Sequence, residues 1–277
     1  MRMTMRWYGP DDAVTLANIR QIPVMQGIVS SLHGLPVGVA WGPEQIQLLK
    51  QQVAANGLTL DVIESIPVHD AIKLGTSERD QYIDAYCESL RNLGAAGVGV
   101  VCYNFMPIFD WMRTDLAEAL PDGSTTLSYS QQALEQIDLE RETLSLPAWA
   151  VVYTPDALRG LLAQYQALGA EGLFQNLVYF LQAVTPVARD AGVKLALHPD
   201  DPPWPIFGIP RIVSTADDVA RLLDAVPDPH NGLTFCSGSF GSRADNDLPA
   251  MVKRFADRIH FVHLRSVQRS NAHDFME

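Results

Sequence analysis

A chain of 277 residues, 47% apolar and 19% charged, has the composition of a folded protein with a sizeable core; disorder is not indicated, and the length admits one large or two ordinary domains. Twenty basic against thirty-two acidic residues give a net charge of -12, and without a Lys/Arg-rich run this disfavours a nucleic-acid partner. MRMTMRWYGPDD lacks an apolar signal core, no run approaches the roughly 18 apolar residues of a membrane span, and Cys87, Cys102 and Cys236 are odd in number and widely spaced, so a cytoplasmic protein with reduced thiols and no membrane contact is expected.

In chain order, apolar runs rich in β-branched residues predict strands over 5–8, 27–32, 58–66, 98–105, 193–198, 233–236 and 259–264. Between them, helical periodicity predicts helices over 12–21, 43–56, 78–96, 131–144, 172–190, 215–225 and 248–256, several of them stopped by a following glycine. Strand and helix alternating in this way give right-handed βαβ units and a parallel sheet. A doubly wound nucleotide-binding sheet would place a glycine-rich phosphate turn after an early strand, but WYGPDD follows the first. The fold expected is therefore a TIM (β/α)8 barrel in one domain spanning 1–277. The stretch from Pro107 to Gln175, with PDGSTTLSYS inside it, is too long for a simple crossover and is expected to insert helices and a loop over the catalytic rim. An eighth strand is expected beyond Glu277.

Three residues stand at the C-terminal ends of predicted strands, where barrel side chains converge: His198 in KLALHPDD, Cys236 in GLTFCSGS and His263 in IHFVHLRS. Period-two alternation gives His198 the face of Ala196, Cys236 that of Thr234, and His263 that of Phe261, companions that suit a barrel interior. Singly, each reads as packed core: a hydrogen-bonded histidine or a small buried thiol. Together they form a plausible divalent-metal site, because imidazole and thiolate suit Zn, Fe or Mn. Cys236 beside a histidine is also a candidate thiolate nucleophile. His260 lies three residues before His263, faces the other way, and is assigned a structural role. Asn104, at a strand end, offers an amide to a polyol. Asp200 and Asp201, in a proline-stiffened loop, could bind substrate hydroxyls, orient ligands or cap the loop. Arg265 beside a cation suits a carboxylate substrate. Glu64 ends a strand and His69 follows on its loop; either could bind substrate or merely cap. Arg113 is expected to anchor the insertion.

CYNFMPIFDWMRTDL, HPDDPPWPIFGIPRI, VIESIPVHDAIKLG, GLTFCSGSFG and HFVHLRSV are long and idiosyncratic stretches. On these the chain resembles the mannonate dehydratases of bacterial hexuronate catabolism over essentially its whole length. The resemblance implies a xylose-isomerase-like barrel and a lyase that converts D-mannonate to 2-keto-3-deoxy-D-gluconate, with Mn2+ or Fe2+ as metal. It places the family's metal-binding His, Cys and His on His198, Cys236 and His263. The family's fourth ligand, an aspartate in a DHG-type motif near the last strand, has no counterpart in these residues and is expected beyond Glu277. A homodimer is expected.

Chemically, the C2 proton of an aldonate is a poor acid because the adjacent carboxylate resists further negative charge, and a divalent cation offsets that charge. A base takes the C2 proton and an acid assists departure of the C3 hydroxyl. Arg265, Asn104 and Asp200 are the expected substrate contacts, and His273 in NAHDF is the candidate proton carrier. A metal-dependent sugar isomerase on a similar barrel, and a sugar-acid binding protein without chemistry, are the competing readings.

Overall fold

The structure is a computed structural model that describes residues 1–138 and 154–277. Seven strands form one parallel sheet: β1 (Thr4–Arg6), β2 (Gly27–Ser30), β3 (Thr59–Glu64), β4 (Val100–Tyr103), β7 (Lys194–Leu197), β8 (Asn231–Cys236) and β9 (Ile259–His263). They pair in that order, so each neighbour in space is the next parallel strand in sequence. The sheet curls into a half-barrel with β1 and β9 at its edges.

Helices α2 (Pro43–Ala54), α4 (Arg79–Ala95), α6 (Pro155–Asp190), α7 (Ala216–Ala225) and α9 (Leu248–Phe255) join the strands, with shorter α1 (Leu16–Arg20), α3 (Asp70–Leu74), α5 (Gln131–Glu135) and α8 (Ser237–Gly241). Their apolar stripes explain their placement. Ile46, Leu49 and Val53 form the buried face of α2, and Ile83, Cys87, Leu90 and Leu93 that of α4. Thr215 and Asp218 form a reciprocal capping box that starts α7. Gly192 takes φ 68° just past the end of α6, a left-handed turn that a Cβ would strain. The predicted helix over 172–190 is the second half of α6, which runs on from a first half across a kink at Gly169 (φ 67°, ψ 178°). The predicted helix over 131–144 is seen as α5 through Glu135, and positions 139–144 lie outside the described residues.

Two apolar layers result. The larger core lies between sheet and helices and includes Ile28, Ile63, Val101, Leu195, Leu233 and Phe180. The smaller one lies on the concave interior of the sheet, with Val29, Val62 and Cys102 packed against Val100 and Phe261, and borders an open cleft. Because strand side chains alternate, residues two positions further along these interior-facing rows reach the C-terminal rim: Glu64 beyond Val62 and His263 beyond Phe261.

The insertion holds expected helices, α5 and the first half of α6, and adds strands that were not expected. It contains an antiparallel hairpin, β5 (Asp115–Ala119) and β6 (Thr125–Tyr129), turning through PDGS, and the segment after β9 returns as β10 (Gln268–Arg269) and β11 (Phe275–Met276), giving a four-stranded sheet in the order β10-β11-β6-β5. Asp122 accepts from the N–H and hydroxyl of Ser124, so PDGSTTLSYS is a tight turn leading into a strand. Among the described residues, no helix is long and apolar enough to cross a membrane.

Candidate metal centre

β7, β8 and β9 end side by side, and this register brings His198, Cys236 and His263 together: one ligand atom from each lies within 4.8 Å of the others. The His198 and His263 rings are 5.0 Å apart between centroids. Cys236 is fully buried and forms the N-cap of the short α8, whose Ser239 donates to its sulfur from both N–H (3.4 Å) and Oγ (3.2 Å). These donors and the two imidazoles favour thiolate over thiol. Burial pushes the Cys236 pKa up, but the hydrogen bond from His198 and the contacts with His263 and Arg265 hold it well below the usual thiol range. Burial likewise opposes charge on the histidines and is outweighed by Cys236: His198 is raised, and His263 reaches about 9 with the help of Glu64.

His198 is oriented by its backbone. Its Nδ1 lies 2.7 Å from the carbonyl oxygen of Pro199, which can only accept, so Nδ1 carries a hydrogen and Nε2 is the nitrogen left to give up its proton to a metal. Two imidazoles and a thiolate are a fitting donor set for a divalent transition metal. A second convergent set, Glu64, Cys102 and His263, shares only His263 with the first. Glu64 Oε2 lies 3.2 Å from His263 Nε2 and 3.1 Å from Arg6 Nη1. Burial raises the Glu64 pKa, but the His263 hydrogen bond and charge, with Arg6, bring it down to about 2. Cys102 accepts from Thr234 Oγ1 (3.0 Å) and belongs to the interior packing.

Beside the triad is a charge network. Asp201 Oδ2 takes Arg265 Nη2 (2.8 Å) and shares with the Cys236 sulfur the single hydrogen of Ser239 Oγ (3.0 Å), and its Oδ1 takes Arg113 Nη1 (2.8 Å). Arg113 also pairs with Glu277. Arg113 thus ties the insertion to the loop after β7. The chain at Gly238 passes so close that a Cβ there would overlap Arg265 Nε.

The other expected residues each make contacts of their own. Asp200 is buried, and its Oδ2 accepts from the Val213 N–H (2.7 Å) and Ser214 Oγ (2.9 Å), bracing its own loop. Asn104 stands past the end of β4 with Oδ1 accepting from the Met106 N–H (3.2 Å). His273 is exposed in the turn between β10 and β11, its ring edge-on to Trp204 at 5.1 Å. His69 caps α3 by accepting from the Ala71 N–H and stacks on Tyr82. His260 is half-buried on β9, with Nε2 unpartnered. Sequence reasoning did not single out Arg6; its signal was a cation ending an edge strand two residues past Thr4, on the row that reaches the rim.

The curled parallel sheet with its helices is of the xylose-isomerase-like α/β barrel class. At the level of fold it is shared with a 3-keto-D-glucoside 4-epimerase from E. coli (TM-score 0.54, 13% identity, covering 96% of this chain and 79% of that one). Within that class, the chain belongs to the D-mannonate dehydratase (UxuA) family, whose model matches residues 1–277. It is 47% identical over its full length to the mannonate dehydratase of Oceanobacillus iheyensis and to mannonate dehydratase 2 of Halalkalibacterium halodurans, spanning 79% and 81% of those proteins. The mannonate dehydratase structure from Streptococcus suis serotype 2 superposes with a TM-score of 0.91 at 45% identity, covering 100% of this chain and 76% of that one.

Proposed function

We propose that this chain dehydrates D-mannonate to 2-keto-3-deoxy-D-gluconate at a Mn2+ or Fe2+ centre held by His198, Cys236 and His263. The observation that carries this reading is the convergence of two imidazoles and a thiolate at the strand ends of a chain in the D-mannonate dehydratase family. When bound, such a metal offsets the negative charge that builds beside the substrate carboxylate as C2 loses its proton.

The chain's own residues supply the rest. Arg265 is held in place beside Cys236 by Asp201 and Ser239 and is partly exposed, so its guanidinium is suited to meet the aldonate carboxylate. Asn104 offers its amide to the polyol. Asp200 contributes by bracing the loop that follows His198, its Oδ2 accepting from Val213 and Ser214. His273, beside Trp204, is the candidate to move the proton between C2 and the departing C3 hydroxyl. The C2 hydrogen and C3 hydroxyl leave together as water, and the enol left behind becomes the 2-keto acid. One catalytic domain spanning 1–277, a cytoplasmic setting supported by three free cysteines, and a homodimer complete the reading.

The test is the full chain, prepared without oxygen and supplied with Mn2+, challenged with D-mannonate and with uncharged aldoses. Loss of water from mannonate alone supports the proposal. Aldose–ketose interconversion without dehydration would replace it with a sugar isomerase.

A further inference from the structure

His263 is the one residue common to the two convergent sets, and an imidazole has only two nitrogens to share between them. Its Nε2 faces Glu64 Oε2 at 3.2 Å. That same carboxylate oxygen is 3.1 Å from the guanidinium of Arg6. A carboxylate paired with a guanidinium at this distance is held as the anion, and an anion has no hydrogen to give. Nε2 must therefore carry a hydrogen, which leaves Nδ1 as the ring nitrogen that can give up its proton and offer a lone pair to a metal. His198 uses the complementary device, in which the Pro199 carbonyl takes the Nδ1 hydrogen and leaves Nε2 free.

We propose that Glu64 is a positioning residue of the metal centre: its carboxylate takes the Nε2 hydrogen of His263, Arg6 holds that carboxylate, and Nδ1 of His263 is thereby presented as the ligand atom. The inference rests on the reading of His198, Cys236 and His263 as metal ligands and is independent of which sugar acid is dehydrated. Its parts come from three strand ends, with Arg6 closing β1, Glu64 closing β3 and His263 closing β9. Since β1 and β9 are the two edges of the sheet, the relay also joins those edges across the interior. A carboxylate–histidine–metal arrangement of this kind orients the ring and raises its basicity, and losing the outer partner costs about 10–100-fold in metal affinity.

The experiment is a Co2+ titration of the chelator-stripped full chain, read by the sulfur-to-cobalt charge-transfer band and the visible ligand-field bands. In Glu64→Ala, the saturated spectrum should match wild type while the midpoint moves to about 10–100-fold higher Co2+. Glu64→Gln keeps an acceptor oxygen and the side-chain volume, so it should stay folded and shift less. Long-range 1H–15N spectra of the Zn2+-loaded wild type should show His263 protonated at Nε2. An unchanged midpoint in both variants, an altered ligand-field spectrum at saturation, which would make Glu64 itself a ligand, or His263 protonated at Nδ1 would each overturn the proposal. Failure of the metal centre itself would look different: wild type would show no sulfur-to-cobalt band, or a band that survives Cys236→Ser.

Discussion

Arg113 Nη1 and Asp201 Oδ1 lie 2.8 Å apart, and neither side chain has any surface exposed to solvent. The pair fastens the insertion to the loop that carries His198, and Asp201 in turn holds Arg265 and Ser239 beside Cys236. Removing one member leaves the other charged and buried, so Arg113→Ala should lose about 3–5 kcal/mol, seen as a fall in the urea midpoint. Burial raises the Asp201 pKa, but Arg113 and Arg265 outweigh it and hold the group far below the usual carboxylate range. A depressed carboxylate contributes stability that is full above its unfolded pKa of about 3.9 and is lost as pH falls through the lower folded value. Asp201→Asn should therefore be less stable at neutral pH and flatten the acid limb of urea midpoints below about pH 4.

His260 gives a pH dependence in a different window. Burial is the main cause of its drop to about 4 from an ordinary 6.5, with Lys194 adding to it. The neutral ring is the folded form, so its contribution is present above pH 6.5 and is lost as pH falls towards 4. The raised His198 and His263 act with the opposite sign, so the informative quantity is the difference between proteins. His260→Gln should lose less stability than wild type between pH 7 and pH 5 in the metal-stripped state. Parallel curves would remove His260 as a source of the dependence.

Gly238 limits where Arg265 can lie. A methyl group there overlaps the flexible guanidinium end rather than backbone, so Gly238→Ala should displace Arg265 with little change in melting temperature. With the aldonate carboxylate as the partner of Arg265, KM for D-mannonate should rise about 10-fold or more, the worth of one charge-assisted hydrogen bond. An unchanged KM would separate Arg265 from substrate binding.

The cysteines should part in function. Cys236→Ser preserves shape and the Ser239 contacts but removes the soft donor, so metal retention on dialysis and turnover should both fall more than about 100-fold. Cys87, on the buried face of α4, should tolerate Ala with turnover unchanged at a modest stability cost. Equal losses in the two variants would contradict the assignment.

The parallel half of the fold was legible because its inner strands β2, β4, β7 and β8 are largely buried along their length, and because glycines mark several helix ends. The triad was legible for the same reason: once the strands are placed, period-two alternation alone decides what reaches the rim. The hairpin was not. β5 reads DLAEA and is largely exposed, and β10 and β11 are two residues each, so none carries an apolar period; pairing across the chain makes them strands. Nor was the Arg6–Glu64–His263 relay, which spans nearly the whole sequence and exists only because the sheet curls. Asp200 shows the limit of residue type as a guide: in sequence it could equally bind sugar or brace a loop, and its carboxylate oxygen accepts from Val213 and Ser214.

The most direct test of the metal-centred dehydratase follows one anaerobic sample of the full chain through chelation and stepwise return of Mn2+, measuring bound metal and 2-keto-3-deoxygluconate formed from D-mannonate at each step. Product formation that vanishes on chelation and returns in proportion to metal bound, in wild type but not in Cys236→Ser, is the expected result. Turnover that persists in the stripped protein, or full metal occupancy with no keto acid formed, would contradict it.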